Sequence, residues 1–588
     1  MKRAPLALLA CFVALTAPAA HAYEPDPFAL GAPPSFFARY TRYAVAADTP
    51  LASQAGADIL GAGGNAADAA VATVLALGVA SPASSGLGGG GFALYYRASD
   101  RTLTFLDFRE RAPAAARPDM FARRADEDDA AASARSQTGG LAVGVPGEPA
   151  GLDAILTRFG SGRVARAAIA RPAERLAREG VPATRYVATQ SQAFVALLAA
   201  DPVLRTFLPT PTTPIARGQR LVNPMLARTI HQFGARGAEP FYRGAIAREI
   251  ARVVSAHGGV LTAADLEAYE VRERAPLRAT RFGHEIVTAP PPSAGGFTLL
   301  ASLGLLERWM PAPREGAALR HALAESWVGP FGDRQAYAGD PDFAAVPVDA
   351  MLADDRLAAR ATLFDPHGHR GPLAWALPLP GSEPASTAGG EDHGTSHVCV
   401  VDAEGNVMAL TTTINLQFGA RLTAAGMILN DQMDDFAREV GVANAFGLVG
   451  GALNLPGPGH RPVSTMSPTI VLDAQGAPLL CIGGSGGSRI VTAVEQVLIF
   501  TLFVDTTVGD AVARARVHHQ GAPDVLSTEV ALPADLALAL GARGHDLSAP
   551  VEASANVQAI RILRDASGTI TGLEAASDLR KDGEPRGL

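Results

Sequence analysis

The chain has 588 residues, a formal net charge of −8 and 48% hydrophobic residues. That length is enough for a large core or for two halves that fold together. A modest negative charge gives no electrostatic footprint for nucleic acid, so nucleic acid is excluded as a partner.

The N-terminus has the three parts of a secretory signal peptide. Lys2 and Arg3 form the charged start, residues 6–15 the apolar centre, and Ala20-His21-Ala22 a small-x-small cleavage site. We therefore expect residues 1–22 to be removed after Ala22 and the mature protein to be periplasmic or secreted. No later segment is long and apolar enough to span a bilayer, so we expect no membrane anchor.

The first half of the chain predicts helices around a few strands. Asn65 is a good N-cap, with Asp68 three residues on, for an apolar helix at 66–80. Pro330 should break the helical stretch at 327–334. In chain order the predicted elements are a strand at 43–47, a helix at 51–60, the helix at 66–80, a strand at 92–97, its hairpin partner at 102–108, and a mainly helical region at 152–343.

In the second half of the chain, the spacing of the hydrophobic residues changes. Residues 371–391 are rich in Pro, Gly and Ser, which predicts a flexible linker at about 371–394. After it the hydrophobic period becomes two, which favours strands, and we expect helices flanking two largely antiparallel sheets in an α+β fold. The predicted strands are 397–402, 407–413, 427–430, 469–473, 479–482, 557–563 and 570–574, and the predicted helices are 488–503 and 508–515.

The junction of the two halves carries the most informative motif. Gly394-Thr395-Ser396-His397 leads directly into the apolar run 398–401. This layout suits a chain that cuts itself after Gly394 and exposes Thr395 as a new N-terminus. The amine of a terminal threonine has a pKa near 8 and can take the proton of its own hydroxyl, so one residue supplies both nucleophile and base. Alone, the motif also fits an ordinary turn before a strand.

Four further segments follow in the order and spacing of one enzyme family. They are Thr-Thr-Thr-Ile-Asn at 411–415, Leu-Asn-Asp-Gln-Met-Asp-Asp-Phe at 429–436, Arg-Pro-Val-Ser-Thr-Met-Ser-Pro-Thr at 461–469 and Gly-Gly-Ser-Gly-Gly-Ser-Arg at 483–489. From about Ala44 to about Arg580 the chain resembles the γ-glutamyltranspeptidases (glutathione hydrolases), which are self-processing N-terminal-nucleophile enzymes. The resemblance implies a four-layer αββα sandwich, the N-terminal nucleophile hydrolase fold. Two autoprocessed subunits, 23–394 and 395–588, would build it jointly as a heterodimer.

The resemblance assigns the chemistry to four residues. Thr395 is the nucleophile in self-cleavage and in turnover, and Thr413 places its hydroxyl against that of Thr395. The backbone amides of Gly486 and Gly487 stabilise the oxyanion, since tandem glycines can direct two successive N–H groups into one small space. Neither a cofactor nor a metal is implied. The run Gly483–Gly487 lacks the lysine of a phosphate-binding loop, and Gly88–Gly91 leads into a strand rather than a helix, so nucleotide binding is rejected.

The resemblance also assigns substrate binding. Arg109, with Ser464 and Thr465, holds an α-carboxylate, and Asn415, Gln432 and Asp435 hold an α-ammonium. The presence of both charges favours γ-glutamyl donors such as glutathione, with water, amino acids or dipeptides as acceptors. Two alternatives stay open: a cephalosporin or glutaryl acylase of the same family, and an unprocessed γ-glutamyl-binding protein.

Three features depart from these assignments or fall outside them. Phe446 stands where many family members have a lid tyrosine, which predicts a looser lid and a preference for hydrolysis over transfer. Cys399 and Cys481 lie in apolar strands and are interpreted as buried free thiols, with a disulfide open if the strands are neighbours. His397, His518 and His519 are interpreted as core or hydrogen-bonding residues, and no metal-ligand spacing is present.

Overall fold

A computed structural model describes residues 36–309, 315–379, 394–442, 444–445, 448–551 and 555–588. The predicted signal peptide and Phe446 lie outside these residues. Among the described helices, none combines the length and hydropathy needed to cross a bilayer.

The elements alternate between helical stretches and strands along the chain. The helices are α1 Pro50–Gly61, α2 Ala66–Ala80, α3 Asp129–Gln137, α4 Glu148–Phe159, α5 Arg166–Glu179, α6 Arg185–Ser191, α7 Val195–Ala200, α8 Pro224–Arg236, α9 Glu239–Tyr242, α10 Ala245–Ala256, α11 Ala263–Glu267, α12 Gly295–Trp309, α13 Gly316–Tyr337, α14 Val348–Leu352, α15 Asp354–Ala361, α16 Pro372–Trp375, α17 Arg489–Leu502, α18 Val508–Ala513 and α19 Ala534–Gly541. The strands are β1 Phe37–Tyr40, β2 Ala44–Ala47, β3 Gly90–Arg97, β4 Thr102–Phe108, β5 Val181–Pro182, β6 Arg220–Leu221, β7 Arg272–Arg274, β8 Leu277–Arg281, β9 His284–Thr288, β10 Thr395–Val401, β11 Val407–Thr413, β12 Thr423–Ala424, β13 Met427–Ile428, β14 Thr469–Leu472, β15 Pro478–Ser485, β16 Val517–His518, β17 Ser527–Thr528, β18 Asn556–Arg564, β19 Ile570–Ser577 and β20 Arg586–Gly587.

Two seven-stranded antiparallel sheets form the centre of the molecule. One has the order β1-β19-β18-β15-β14-β9-β8 and the other the order β20-β2-β10-β11-β3-β4-β7. Inward-facing side chains of both sheets pack into one core together with α12, α13, α17 and α18, while α1, α2, α4 and α5 cover the opposite face of the second sheet. This arrangement confirms the predicted α+β, four-layer αββα sandwich.

Several local predictions are confirmed by the backbone. The helix α2 begins after Asn65, whose side chain accepts from the Asp68 amide while the Asp68 carboxylate accepts from the Asn65 amide. The strands β3 and β4 pair as the predicted hairpin. The edge strands β7 and β8 were not predicted, because arginines and a glutamate on their exposed positions hide the apolar alternation, and the neighbouring strand β9 was not predicted either.

The predicted helix break at Pro330 is wrong. The helix α13 runs without interruption from Gly316 to Tyr337. Trp327 and Phe331, on either side of the proline, are fully buried in the core between the sheets and the outer helices. Their burial offsets the hydrogen bond that the proline removes from the helix.

The first part of the segment predicted as a linker is packed against the protein. Pro372–Trp375 form the short helix α16, and the Trp375 indole is fully buried, donating a 3.1 Å hydrogen bond from Nε1 to Glu325 Oε2. Residues 380–393 lie outside the described residues, so the linker remains a prediction there.

The two mature cysteines meet between the sheets. Cys399 of β10 and Cys481 of β15 are both fully buried free thiols, as predicted, and their Sγ atoms are 2.6 Å apart. Burial raises the pKa of Cys399 well above its usual range.

Candidate active site

The candidate nucleophile lies at the first position of a central strand. Thr395 begins β10 and is paired directly with Thr413, the last residue of β11. Thr395 Oγ1 donates to Thr413 Oγ1 at 3.1 Å, and Thr413 Oγ1 in turn donates to the Gly394 carbonyl oxygen at 2.9 Å. The Asn415 amide donates to Thr413 Oγ1 at 2.8 Å. Because strand register sets these contacts, the Thr413 hydroxyl links the nucleophile to the carbonyl of the peptide bond before it.

The glycine-rich run before β3 permits this packing. A Cβ atom on Gly89 would lie only 2.0 Å from the Thr413 carbonyl oxygen. The Gly89 carbonyl oxygen accepts from the amides of Gly147 and Glu148, both at 2.8 Å. The glycine therefore serves close backbone approach beside the nucleophile rather than phosphate binding.

The two glycines proposed for the oxyanion follow β15 and precede α17. Their φ angles are 129° at Gly486 and 52° at Gly487, in a region that favours glycine. The Gly487 carbonyl oxygen accepts from Thr465 Oγ1 at 2.7 Å, and the Gly486 carbonyl oxygen accepts from the Arg489 amide at 3.0 Å. Among the described residues, no protein acceptor is paired with either glycine N–H, so both remain available as donors.

The residues assigned to the two charges of the substrate pair with each other. Arg109, at the end of β4, donates from Nη2 to Asp435 Oδ2, and its Nε donates to the Pro462 carbonyl oxygen at 3.3 Å. Gln432 Nε2 also donates to Asp435 Oδ2, at 2.6 Å. Burial raises the pKa of Asp435, although Arg109 acts against this by favouring the charged carboxylate. The site therefore contains a buried ion pair with opposite charges next to the threonine.

The remaining assigned residues complete the walls. Asn415 has a left-handed φ of 74° and donates from Nδ2 to the Asp431 carbonyl oxygen at 3.0 Å. Ser464 Oγ accepts from the Met466 amide at 3.1 Å. These residues surround a cavity of about 310 Å³ whose lining includes Arg109, Thr395, Thr413, Asn415, Gln432, Asp435, Ser464, Thr465 and Gly487. The fold thus brings residues from five separate motifs, together with Arg109, into one cavity, and Gly486 adjoins it.

Sequence reasoning missed Arg334. It lies on α13, lines the same cavity, and is 5% exposed. Its Nε has no hydrogen-bond partner among the described residues. Burial lowers the pKa of Arg334 to about 10, while nearby Asp435 acts in the opposite direction. The expected helix break at Pro330 concealed it, because a continuous helix is required to carry residue 334 to the cavity.

Lys581 was missed as well. Its Nζ donates to the Thr395 carbonyl oxygen and lies 3.1 Å from Ser485 Oγ and 3.1 Å from Asp48 Oδ2. Lys581 is 3% exposed and ends a short 3₁₀ helix near the C-terminus. It connects the nucleophile strand β10 to the strand that precedes the two glycines. A lone lysine almost 200 residues from the motif gives no sequence pattern that would point to this position.

Comparison with known proteins tests the resemblance. The family model for gamma-glutamyltranspeptidase matches residues 52–588. This chain belongs to the γ-glutamyltranspeptidase family. It is 35% identical over 590 residues to the glutathione hydrolase proenzyme of Escherichia coli (strain K12), covering 99% of this chain and 97% of that protein.

Solved structures of family relatives share the fold of this γ-glutamyltranspeptidase family member. The cephalosporin acylase from Bacillus halodurans superposes with a TM-score of 0.80 at 25% identity, covering 94% of this chain and 97% of the acylase. The Helicobacter pylori gamma-glutamyltranspeptidase has a TM-score of 0.53 at 31% identity, covering 57% of this chain and 96% of that one. Since an acylase and a transpeptidase share the fold, the substrate must be argued from the cavity residues.

Proposed function

We propose that this protein cleaves itself between Gly394 and Thr395 and then acts as an exported γ-glutamyl hydrolase and transferase. The observation that carries the proposal is one cavity holding the Thr395–Thr413–Gly394 hydrogen-bond chain at one side and the Arg109–Asp435 pair at the other. Glutathione and related γ-glutamyl amides are the expected donors. Water, amino acids and dipeptides are the expected acceptors.

Self-cleavage begins at the peptide bond that Thr413 already contacts. Thr395 Oγ1 attacks the Gly394 carbonyl carbon, and the Thr413 hydroxyl, 2.9 Å from the carbonyl oxygen, stabilises the negative charge that develops there. The C–N bond breaks as the nitrogen takes the proton released by Oγ1, leaving an ester between the Gly394 carbonyl and the Thr395 side chain. Water then hydrolyses the ester, which frees the Gly394 carboxylate and the Thr395 amine.

Turnover reuses the same oxygen. The free amine of Thr395 accepts the hydroxyl proton as Oγ1 attacks the γ-carbonyl of the donor. The N–H groups of Gly486 and Gly487 stabilise the tetrahedral oxyanion, and the amine leaving group departs with a proton. The γ-glutamyl ester on Thr395 is then resolved by water, giving hydrolysis, or by an acceptor amine, giving transfer.

Substrate choice follows from the Arg109–Asp435 pair. An α-amino acid head group carries a carboxylate for Arg109 and an ammonium for Asp435, so both buried charges exchange one partner for another. A glutaryl group lacks the ammonium and would separate Asp435 from Arg109 without replacing its partner. Leaving a buried charge uncompensated is strongly unfavourable, which supports a γ-glutamyl donor over a glutaryl one.

The two chains would remain associated after the cut. The strand β10 lies between β2, which precedes the cut, and β11, which follows it, and it hydrogen-bonds to both. The predicted signal peptide supports a periplasmic or secreted location.

The substrate assignment is tested with chromogenic amides. Release of p-nitroaniline from γ-glutamyl-p-nitroanilide should occur and should rise when glycylglycine is added as an acceptor. The matched control is glutaryl-p-nitroanilide, which differs only in lacking the ammonium group. Activity on the glutaryl amide alone would instead assign the protein to the acylase function that its similarity to the Bacillus halodurans enzyme suggests.

A further inference from the structure

A second cluster of titratable side chains lies apart from the cavity. Its first member, His321, is on α13 about 20 Å along the helix axis from Arg334. The cluster contains His321, Glu325, His369, His519, Asp524 and His545. None of these residues takes part in the proposed reaction, so their proximity needs a separate explanation.

Three of the six form a compact, buried set. His321 and Glu325 are one turn apart on α13 and 1% and 0% exposed, and His545, after α19, is 5% exposed. His321 Nδ1 lies 2.7 Å from His545 Nε2. One ligand atom from each of the three residues lies within 4.8 Å of the other two. Two imidazoles and a carboxylate are a common zinc-binding combination.

The tautomer of His321 favours metal binding. Its Nε2 is 2.8 Å from the Asp365 carbonyl oxygen, which can only accept, so the proton is on Nε2. Neutral His321 therefore presents the lone pair of Nδ1 to the cluster, where it accepts from His545 Nε2. Metal-binding histidines usually donate their other N–H to a carbonyl or carboxylate in this way.

The outer members of the cluster support Glu325. Its Oε1 lies 2.5 Å from His369 Nδ1, and its Oε2 accepts from Trp375 Nε1 at 3.1 Å. Meanwhile His545 Nδ1 is buried and has no hydrogen-bond partner among the described residues. A carboxylate oriented by neighbours is expected where an ion completes the set, and the unpaired His545 Nδ1 can take the proton that Nε2 must release to bind an ion.

The neighbouring group formed by His369, His519 and Asp524 is less suited to an ion. His519 Nδ1 accepts from the Gly521 amide at 3.0 Å, so in the neutral ring the proton is on Nε2. That nitrogen lies 3.3 Å from Asp524 Oδ1 and serves as a donor to it. Asp524 is 43% exposed, so this group is less enclosed than the buried set of His321, Glu325 and His545.

We propose that His321, Glu325 and His545 bind a Zn²⁺ ion, with His369 and Trp375 orienting Glu325. Tetrahedral zinc with ligands at about 2.0–2.1 Å separates its ligand atoms by about 3.3 Å. The two imidazoles must therefore move apart by about 0.6 Å from their hydrogen-bonded spacing of 2.7 Å.

The ion would join the two halves of the protein. His321 and Glu325 precede the proposed cleavage site, whereas His545 follows it. If Thr395 is freed as proposed, the ion bridges the two chains. This linking role rests on the proposed function, but zinc binding itself does not.

Metal content tests the site directly. Tag-free protein is stripped with EDTA, supplied with Zn²⁺ alone, desalted and measured by mass spectrometry of the metal. We expect about one Zn²⁺ per chain and a higher Tm with zinc than without it. Less than about one-tenth of an ion per chain in the wild-type protein would overturn the proposal.

Variants identify the ligands. Glu325→Gln and His545→Ala should each lose the zinc and the Tm increase, and His369→Gln should weaken binding about 10–100-fold. The controls His367→Ala, an exposed histidine nearby, and His519→Ala should keep the ion. Zinc retained by the His545→Ala variant, or lost only in the His519→Ala variant, would contradict the assignment.

The linking role has its own measurement. In moderate urea, the fraction of one chain that co-elutes with the other should be higher with Zn²⁺ than with EDTA. Zinc content should be the same in the uncleaved Thr395→Ala variant, which separates failure of the metal site from failure of self-cleavage. Equal chain separation with and without zinc would remove the linking role.

Discussion

The two sides of the proposed catalytic cavity are built by different means. At the nucleophile side, neutral hydroxyls of Thr395 and Thr413 are placed by the register of two central strands. At the recognition side, Arg109 and Asp435 come from the end of a strand and from a short 3₁₀ helix, and they hold each other by charge. Backbone pairing fixes the hydroxyls proposed to react, whereas the residues proposed for recognition would exchange partners whenever a substrate arrives.

The largest expected effect comes from removing the proposed nucleophile. Thr395→Ala should leave a single uncleaved chain on denaturing electrophoresis and reduce kcat/KM by at least about 10⁴-fold, because no other group replaces the hydroxyl. Thr501→Ala is a matched control, since Thr501 is also buried and its hydroxyl has no partner among the described residues. Two chains and normal turnover in the Thr395→Ala variant would refute the mechanism.

A charge change at the recognition side should act on one substrate only. Asp435→Asn removes the ammonium partner and should lower kcat/KM for γ-glutamyl-p-nitroanilide by about 10²–10³-fold. The kcat/KM for the glutaryl amide should fall little or should rise, because the neutral side chain of the variant no longer needs an ammonium partner. Self-cleavage should continue, since the nucleophile side is unchanged. An equal loss on both amides would show that Asp435 acts on the fold rather than on the substrate.

Arg334 should affect how kcat/KM depends on pH, because it acts on the charge of Asp435 at the recognition side. Its charge lowers the pKa of Asp435, opposing the effect of burial. Asp435 must be ionised to bind an ammonium, so activity rises with pH through its pKa. Arg334→Met should raise that pKa, move the acidic limb of the kcat/KM profile to higher pH and reduce kcat/KM near neutral pH by about tenfold. An unshifted limb, with Arg334→Lys no better than Arg334→Met, would indicate a purely structural role.

The smallest expected effect concerns the balance between hydrolysis and transfer. If Phe446 loosens the lid, Phe446→Tyr should increase transfer relative to hydrolysis, because less water reaches the ester. The measurement is the ratio of γ-glutamyl-glycylglycine to free glutamate at a fixed acceptor concentration. A ratio that stays constant would show that this side chain does not control water entry.

The same contrast explains how much the sequence could predict. Residues near the proposed nucleophile lie in motifs with local signatures, so Thr395, Thr413 and the tandem glycines could be proposed for the site before the fold was known. The helix α2 and the hairpin β3–β4 also follow local rules of capping and alternation.

Positions that depend on tertiary packing could not be predicted. Arg334 reaches the cavity only because core burial of Trp327 and Phe331 overrides the helix-breaking tendency of Pro330. Lys581 and His545 meet their partners through contacts that span more than 180 residues. The local sequence pattern contains no information on such long-range contacts, which depend on how the strands and helices are ordered in space.

The central place of β10 has a consequence for biosynthesis. Its residues 398–401 pair with β2, which precedes the proposed cut, and the whole strand pairs with β11, which follows it. Halves produced separately would each expose long, unsatisfied strand edges, which invite aggregation. The uncut polypeptide would therefore act as its own assembly template, and genes encoding the two pieces apart should yield insoluble material rather than enzyme.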